Sequence, residues 1–319
     1  LPIHKDIDAA QEEALGENKI GTTLQGIGPT YADKARRIGI RMVDFLDADH
    51  LKNVLESRVK IANEELVRLG WKPADPATTI DAIMAEADIL RPFICDTIPV
   101  LAKAVKENKV MLFEGAQGAM LDIDFGTYPF VTSSNTSAGG CCTGSGVAPT
   151  RIDKCIGVCK AYTTRVGSGP FATEDDEIAD YLHGLGREFG ATTGRPRRCG
   201  WADGTVLRYS ATINGFNEMA MTNLDGLDEM ESIKICTSYE LNGKTLLYPP
   251  ALIDDWGKCV PVYEELPGWQ QDTSKCTTWD ELPENCKAYV KRFGEIIECP
   301  VGSVGVGPDR EQTITTPLA

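Results

Sequence analysis

The sequence VMLFEG at residues 110–115 is a short apolar run that ends in an acid and a glycine, and it predicts a buried strand. Similar runs predict further strands at residues 156–162, 219–224, 233–239 and 296–301. Between them, helical spacing predicts helices near 174–184 and 203–213. Because strands that alternate with helices usually form a parallel sheet, we expect an α/β fold with a mostly parallel central sheet flanked by helices.

The residues before this region have a different pattern. Apolar residues recur at helical spacing over 51–69, where Gly70 ends the pattern, and residues 79–107 predict two more helices that divide near Arg91. We therefore expect a helical lobe over 1–108 and an α/β core over 109–319, with one continuous unit as the alternative. Within the core, residues 251–290 predict an irregular segment that leads into a helix.

Composition excludes several classes of protein. The chain has 319 residues, of which 42% are hydrophobic and 25% charged, so it can bury a core and is neither disordered nor collagen-like. Its net charge of −15 disfavours a general nucleic-acid binder. No apolar run is long enough for a membrane span, and no leader pattern is visible. The eleven cysteines form no CxxC pair, which indicates reduced thiols and a cytoplasmic protein.

Residues 114–146, EGAQGAMLDIDFGTYPFVTSSNTSAGGCCTGSG, are dense in glycine, serine and threonine. Backbone N–H groups and hydroxyls in such a segment can surround phosphate oxygens without net positive charge. The alternative is a long surface loop, but an unstructured loop of this length inside a compact domain is usually functional.

Two shorter motifs also indicate ligand contacts. Residues 191–198, ATTGRPRR, hold three arginines, and arginine binds carboxylates and phosphates bidentately. The alternative is a solvated basic turn paired with nearby acids. Asp225 follows a predicted strand, and its carboxylate could accept from guanine N1–H and the 2-amino group, a pair of donors that adenine lacks. The alternative for Asp225 is a helix cap.

Together these motifs closely resemble the adenylosuccinate synthetase family, which joins L-aspartate to IMP at the expense of GTP. The motifs that match in order are GIGPTYADKARR at 26–37, FEGAQG at 113–118, LDIDFGTYP at 121–129, VTSSNT at 131–136, AYTTRVGSGPF at 161–171, ATTGRPRR at 191–198, TNLD at 222–225, LPGW at 266–269 and VGPDR at 306–310. The resemblance spans nearly the whole chain and implies a fold like that of the P-loop NTPases.

The resemblance implies an IMP site. Thr23, Thr132 and Arg37 would hold the IMP 5′-phosphate, with Arg37 reaching across a homodimer interface into the partner's site. Gln117 would stabilise negative charge on the hypoxanthine 6-oxygen. Arg195 would contact both IMP and aspartate.

The resemblance also implies sites for aspartate and GTP. Aspartate binding is implied for Ala191, Thr192, Thr193, Gly194 and Arg195. GTP binding is implied for Arg197, Asn223, Leu224, Asp225, Gly305, Val306 and Gly307. Within that set, Arg197 would contact a phosphate, Asp225 would recognise guanine, and residues 305–307 would pack beside the base.

Three features depart from the family pattern. Nothing in the chain matches the N-terminal phosphate loop GDEGKGK, its catalytic Asp base, the His general acid or the Mg²⁺ ligands. We therefore expect that this segment is missing, that it supplies the ligands of the Mg²⁺ cofactor, and that the chain alone is inactive. Asn223 replaces a common lysine, and Phe125 replaces a common histidine.

The implied reaction has two steps. After N1 of IMP loses its proton, the 6-oxygen attacks the γ-phosphate of GTP, and the aspartate amine then displaces that phosphate from C6. Positioning and charge neutralisation would supply most of the catalysis of the first step. Two alternatives to this ligase remain: a catalytically silent nucleotide-binding, dimerising fragment, and a related ligase that acts on another purine nucleotide such as dGMP.

Overall fold

A computed structural model describes residues 1–190, 194 and 196–318, apart from the side chain of Asn18. It divides into two compact units. The first comprises residues 1–136 and 140–147, and the second comprises residues 137–139 and 148–319. The predicted boundary after residue 108 lies inside the first unit.

The α-helices are α1 (Pro2–Ala14), α2 (Ile27–Arg36), α3 (Ala48–Arg68), α4 (Pro76–Leu90), α5 (Thr97–Lys106), α6 (Ala138–Ser145), α7 (Asp176–Gly184), α8 (Gly204–Asn214), α9 (Ile253–Trp256) and α10 (Glu284–Ile297). The strands are β1 (Ile156–Lys160), β2 (Thr163–Arg165), β3 (Arg198–Gly200), β4 (Ala202–Asp203), β5 (Glu218–Thr222), β6 (Ser232–Leu241), β7 (Lys244–Leu246), β8 (Val260–Pro267), β9 (Val301–Gly305) and β10 (Thr313–Thr315). These bounds confirm the predicted helices in 51–69, 79–107, 174–184 and 203–213. None of the described helices combines the length and apolar composition that a membrane crossing needs.

The first unit is built around α1, α3 and α4. The Asp47 carboxylate caps α3 by accepting from the His50 backbone N–H at 2.9 Å, and the apolar stripe of α3 is fully buried. The buried Asp33 of α2 holds these helices together, because it accepts from His4 of α1 at 2.9 Å and pairs with the buried Arg58 of α3. A charge network inside the unit therefore fixes α2 against its neighbours.

The second unit contains the mostly parallel sheet. Its strands lie in the order β1-β5-β9-β10, with β1, β5 and β9 parallel and β10 antiparallel. A second sheet is organised around β6, which pairs with β4 in parallel and with β7 and β8 antiparallel. The buried face of α10 packs in the same core through Tyr289, Val290 and Phe293. All eleven cysteines are free thiols.

Three local predictions are wrong. Val110–Phe113 pairs with no strand in the described part of the chain, and Val110 and Leu112 are fully or almost fully exposed. An apolar run becomes a strand only where a partner is available to accept its ladder of hydrogen bonds. Ile296 and Ile297 complete α10, so the last predicted strand begins only at Val301. The irregular segment 251–290 contains β8, whose prolines are tolerated because β8 pairs with β6 alone.

Candidate functional site

The carboxyl ends of three neighbouring parallel strands meet in the second unit. Lys160 ends β1 and pairs in register with Thr222, which ends β5, while Met221 pairs with Val304 of β9. Polar residues follow each strand at this edge, and ligands of open α/β sheets bind outside the carboxyl ends of the strands. The predicted GTP residues of 222–225 and 305–307 therefore lie side by side.

Asp225 lines a cavity of about 610 Å³. Its side chain is 7% exposed and accepts from Arg187 Nη2 at 2.5 Å, while Arg187 is 32% exposed. The short helix at 224–227 begins at Asn223, whose backbone is left-handed with φ 59°, and the Asp225 side chain does not cap it. The helix-cap alternative for Asp225 therefore fails, and a buried carboxylate faces the cavity.

Glu188 forms a second cluster beside the ends of β1 and β3. Its carboxylate is 3% exposed and accepts from Lys160 Nζ at 2.6 Å, Tyr162 Oη at 2.8 Å and Arg197 Nη1 at 3.0 Å. Its backbone carbonyl accepts from the Arg197 N–H at 2.8 Å. The Glu188 backbone itself is left-handed, with φ 61°. Glu188 thus fixes both the side chain and the main chain of Arg197.

Burial and pairing act in opposite directions on this cluster. Burial raises the pKa of the Glu188 carboxyl, but the bonds from Lys160, Tyr162 and Arg197 outweigh it, and the pKa lies below its ordinary value. Burial lowers the pKa of the Lys160 ammonium and raises that of the Tyr162 hydroxyl. The cluster therefore holds one buried anion against two cations and keeps a net charge of +1 in a strongly acidic chain.

The arginine motif is only partly described. Arg197 pairs with the buried Glu188, and Arg198 pairs with Glu174 at a more exposed position. Both arginines have an acidic partner, as the basic-turn alternative expects, but Arg197 is held by a buried carboxylate and not by a solvated one. The predicted aspartate-site residues Ala191, Thr192, Thr193 and Arg195 lie outside the described residues. Gly194 is described and has a left-handed backbone, with φ 64°.

The remaining predicted GTP residues differ in what they can offer a ligand. The side chains of Leu224 and Val306 are fully buried in the core, so only their backbones could contact a base. Asn223 donates to Tyr162 Oη at 3.3 Å, which connects it to the Glu188 cluster. A Cβ added to Gly307 would collide with the side chain of Gln312, so the tight turn after β9 requires glycine here.

The predicted IMP residues lie in the first unit. The loop that carries Thr23 is held by buried acids of α1: Asp8 accepts from the Gly26 N–H at 2.9 Å, and Glu12 accepts from the Gly21 N–H at 3.0 Å. Thr23 itself is exposed. Arg37 is exposed at the end of α2 and has a left-handed backbone, with φ 64°.

The glycine-rich segment that carries Gln117 and Thr132 is ordered by internal bonds. The buried Asp122 accepts from the Thr136 N–H at 2.7 Å, and the Thr132 N–H donates to the Leu121 carbonyl at 2.9 Å. Gln117 is exposed and left-handed, with φ 64°. A Cβ on Gly28 would lie 3.4 Å from Ser133 Oγ, so Thr132 and the start of α2 are neighbours.

Sequence reasoning missed four residues of these clusters: Lys160, Tyr162, Arg187 and Glu188. A cation at the end of an apolar strand was a visible signal for Lys160. Arg187 and Glu188 are adjacent in the chain, just before the arginine motif, but nothing local reveals their partners. The described residues contain no group of three or more His, Cys, Asp or Glu side chains that could hold a metal ion, so the Mg²⁺ cofactor stays a prediction.

Comparison with known proteins shows one family. A model of the adenylosuccinate synthetase family matches residues 1–314. The synthetase of Geobacter sulfurreducens is 52% identical over 316 residues, a match that covers 98% of this chain and 73% of that protein. The synthetase of Heliobacterium modesticaldum is 50% identical, with coverage of 98% and 74%.

A solved structure of fully ligated adenylosuccinate synthetase from Plasmodium falciparum is 39% identical to this chain. It superposes with a TM-score of 0.93 and covers 99% of this chain and 75% of its own. This likeness confirms the predicted α/β fold class. The matches do not support the expectation that the chain lacks a segment and is inactive alone, which stays a prediction.

Proposed function

The chain belongs to the adenylosuccinate synthetase family, and on that premise we propose that it carries out the GTP-dependent joining of L-aspartate to IMP to form adenylosuccinate. The observation that carries this proposal is the Asp225 carboxylate, buried at a 610 Å³ cavity beside the ends of the parallel strands. A carboxylate in that position accepts from the two donors on the Watson–Crick edge of guanine and rejects adenine, which lacks them.

At the other end of the nucleotide, Arg197 contacts a GTP phosphate. Support comes from Glu188, which orients the Arg197 guanidinium and leaves the cluster with a net positive charge through Lys160. Such preorganised cations stabilise the charge that moves between the phosphate oxygens during transfer. Glu188 acts here as a positioning residue, because it holds Arg197 and contacts no reacting atom.

In the first unit, Thr23, Thr132 and Arg37 bind the IMP phosphate, and Gln117 stabilises charge on the 6-oxygen. Gln117 and Arg37 both have left-handed backbones that are costly for residues other than glycine. Residues held in such conformations cluster at functional sites, which supports these two assignments. We further propose a homodimer in which the exposed Arg37 enters the partner's site, and Arg195 with residues 191–194 as the aspartate loop.

The cofactor and the cellular location are also part of this proposal. Mg²⁺ would neutralise phosphate charge, but the described residues offer no cluster of ligands for it, so no step is assigned to this ion. A cytoplasmic location is supported by the eleven free thiols, because disulfides are typical of secreted proteins of this cysteine content.

Nucleotide selection tests the GTP site. We expect Asp225→Asn to weaken GTP binding in calorimetric titrations by roughly tenfold more than ITP binding, because ITP lacks the 2-amino group. Asp272→Asn is the matched control, since Asp272 lines the same cavity but its carboxylate is bonded to Ser274. Equal losses for GTP and ITP, or a wild-type chain that binds neither GTP nor IMP, would contradict the proposal.

Turnover tests the phosphate assignment. In a form of the enzyme that makes adenylosuccinate, Arg197→Leu should lower kcat by about 10²–10³, the scale of a lost transition-state donor. The adjacent Arg198→Leu is the control and should lose far less, because Arg198 pairs with the more exposed Glu174. Equal losses in the two variants would remove Arg197 from the mechanism, and a preference for dGMP over IMP would identify a different ligase.

A further inference from the structure

Arg187 and Asp225 form an ion pair on the wall of the base cavity. Arg187 Nη2 lies 2.5 Å from Asp225 Oδ2, and the guanidinium keeps donors that bond to no other residue in the described part of the chain. The second oxygen of Asp225, Oδ1, likewise accepts no hydrogen bond from the described residues, although the side chain is 93% buried. The pair therefore presents an open acceptor and open donors side by side.

The other buried acid of the cavity is already satisfied. The Asp228 carboxylate accepts from Trp269 Nε1 at 2.7 Å, from the Thr273 N–H at 2.7 Å and from Thr273 Oγ1 at 2.9 Å. Asp228 thus has a structural function. Among the described residues that line the cavity, Arg187 is the one cation, so the cavity suits a neutral base rich in donors and not a phosphate.

The pattern of this pair matches guanine at three adjacent atoms. Guanine presents N1–H and the 2-amino group as donors, next to the acceptor O6. The Asp225 carboxylate accepts from the two donors, and a guanidinium beside it can donate to O6. Adenine reverses the pattern, because its 6-amino group would face the guanidinium and its unprotonated N1 would face the carboxylate. A base of the wrong kind would leave both buried groups unpaired.

We infer that Arg187 is a second specificity-determining residue, which donates to guanine O6 while it stays paired with Asp225. This inference rests on the proposed function, because it assigns the guanine of GTP to this cavity. Arginine suits both bonds at once, since its planar fork carries five donors in fixed directions. Lysine has a single ammonium on a flexible stem and lacks that fork.

The test compares GTP with two analogues in calorimetric titrations of the 319-residue chain. 6-Thio-GTP keeps N1–H and the 2-amino group but replaces O6 by sulfur, a weak acceptor. ITP keeps O6 and lacks the 2-amino group. The wild-type chain should bind GTP roughly tenfold tighter than 6-thio-GTP, as expected for one charge-assisted bond. This comparison requires no variant and therefore does not depend on whether a variant folds.

Arg187→Met should reduce the preference for GTP over 6-thio-GTP to about one and leave the preference for GTP over ITP in place. Arg151→Met, at an exposed arginine outside the cavity, is the control and should change neither ratio. An unchanged 6-thio ratio in Arg187→Met, or tighter binding of all three nucleotides, would overturn the inference while the proposed function stands. A wild-type chain that binds none of the three would overturn both.

Discussion

Replacing Glu188 by glutamine removes one buried negative charge and leaves the shape of the side chain almost unchanged. The carboxylate is 3% exposed and accepts bonds from an ammonium, a hydroxyl and a guanidinium. An amide offers one acceptor and two donors, so part of the new side chain would face groups that can only donate. Two half-buried cations would then lack their anion.

The structure sets the size of the effect. Charge-assisted bonds contribute about 1.5–3 kcal/mol each and are not additive within one network. Breaking a buried ion pair by removing one partner costs about 3–5 kcal/mol. We therefore expect Glu188→Gln to lower the free energy of unfolding by about 3–5 kcal/mol at pH 7, measured by urea denaturation with tryptophan fluorescence.

Glu174→Gln provides a matched control. Glu174 also pairs with an arginine of the same motif, Arg198, but the two side chains are 36% and 33% exposed. Exposed ion pairs contribute about 0–1 kcal/mol, so the control should cost about 1 kcal/mol or less. Equal costs for the two variants, or a loss below about 1 kcal/mol for Glu188→Gln, would refute the reasoning.

Acidity gives a second readout for Glu188. The pKa of its carboxyl is lower in the folded chain than in the unfolded one, so its contribution to stability is present above the unfolded value of 4.5. That contribution is lost as the pH falls through the folded value. The difference in the free energy of unfolding between wild type and Glu188→Gln should therefore shrink below pH 4.5, and a constant difference would contradict the assignment.

Asp203 should have the opposite pH dependence, because burial raises the pKa of its carboxyl to about 6 from 3.8 despite the bond from Tyr239 Oη at 2.5 Å. Relative to Asp203→Asn, the wild type should lose on the order of 3 kcal/mol of unfolding free energy as the pH rises from about 4 to 7, and parallel pH profiles would contradict this. Gly268→Ala should lower the melting temperature strongly, because the added Cβ would lie 1.8 Å from the Met230 carbonyl oxygen. Gly257→Ala, with no atom within 4 Å of its Cβ, should be neutral or stabilising by about 0.4–1 kcal/mol in the same assay, and equal effects would show that crowding at Gly268 is relieved.

Local patterns predicted the elements whose partners are close or whose burial is two-sided. β1 and β5 are apolar runs in a parallel pair, and α3 buries a regular stripe, so period and composition were sufficient. The run at 110–113 has the same composition, but a sequence does not state which strand will pair with it. β8 contains two prolines and two adjacent glutamates, which hide an edge strand from any rule based on alternation.

The same limit applies to the candidate site. Asp225 and Arg197 could be predicted because each belongs to a contiguous motif. Arg187 is 38 residues from Asp225, and Glu188 is 28 residues from Lys160, so only the folded chain reveals those pairings. The charges of a site are visible in a sequence, whereas their neutralisation depends on the way distant strands are brought together.

The adjacency of Arg187 and Glu188 has an evolutionary consequence. One residue is a cation that faces Asp225, and the next is an anion that faces Lys160 and Arg197. A deletion or insertion that moved the chain by one position would place Glu188 beside Asp225 or Arg187 beside two cations, and each arrangement buries like charges together. Changes of chain length in this region should therefore be eliminated by selection, and homologues should vary in length only on either side of the 187–188 pair.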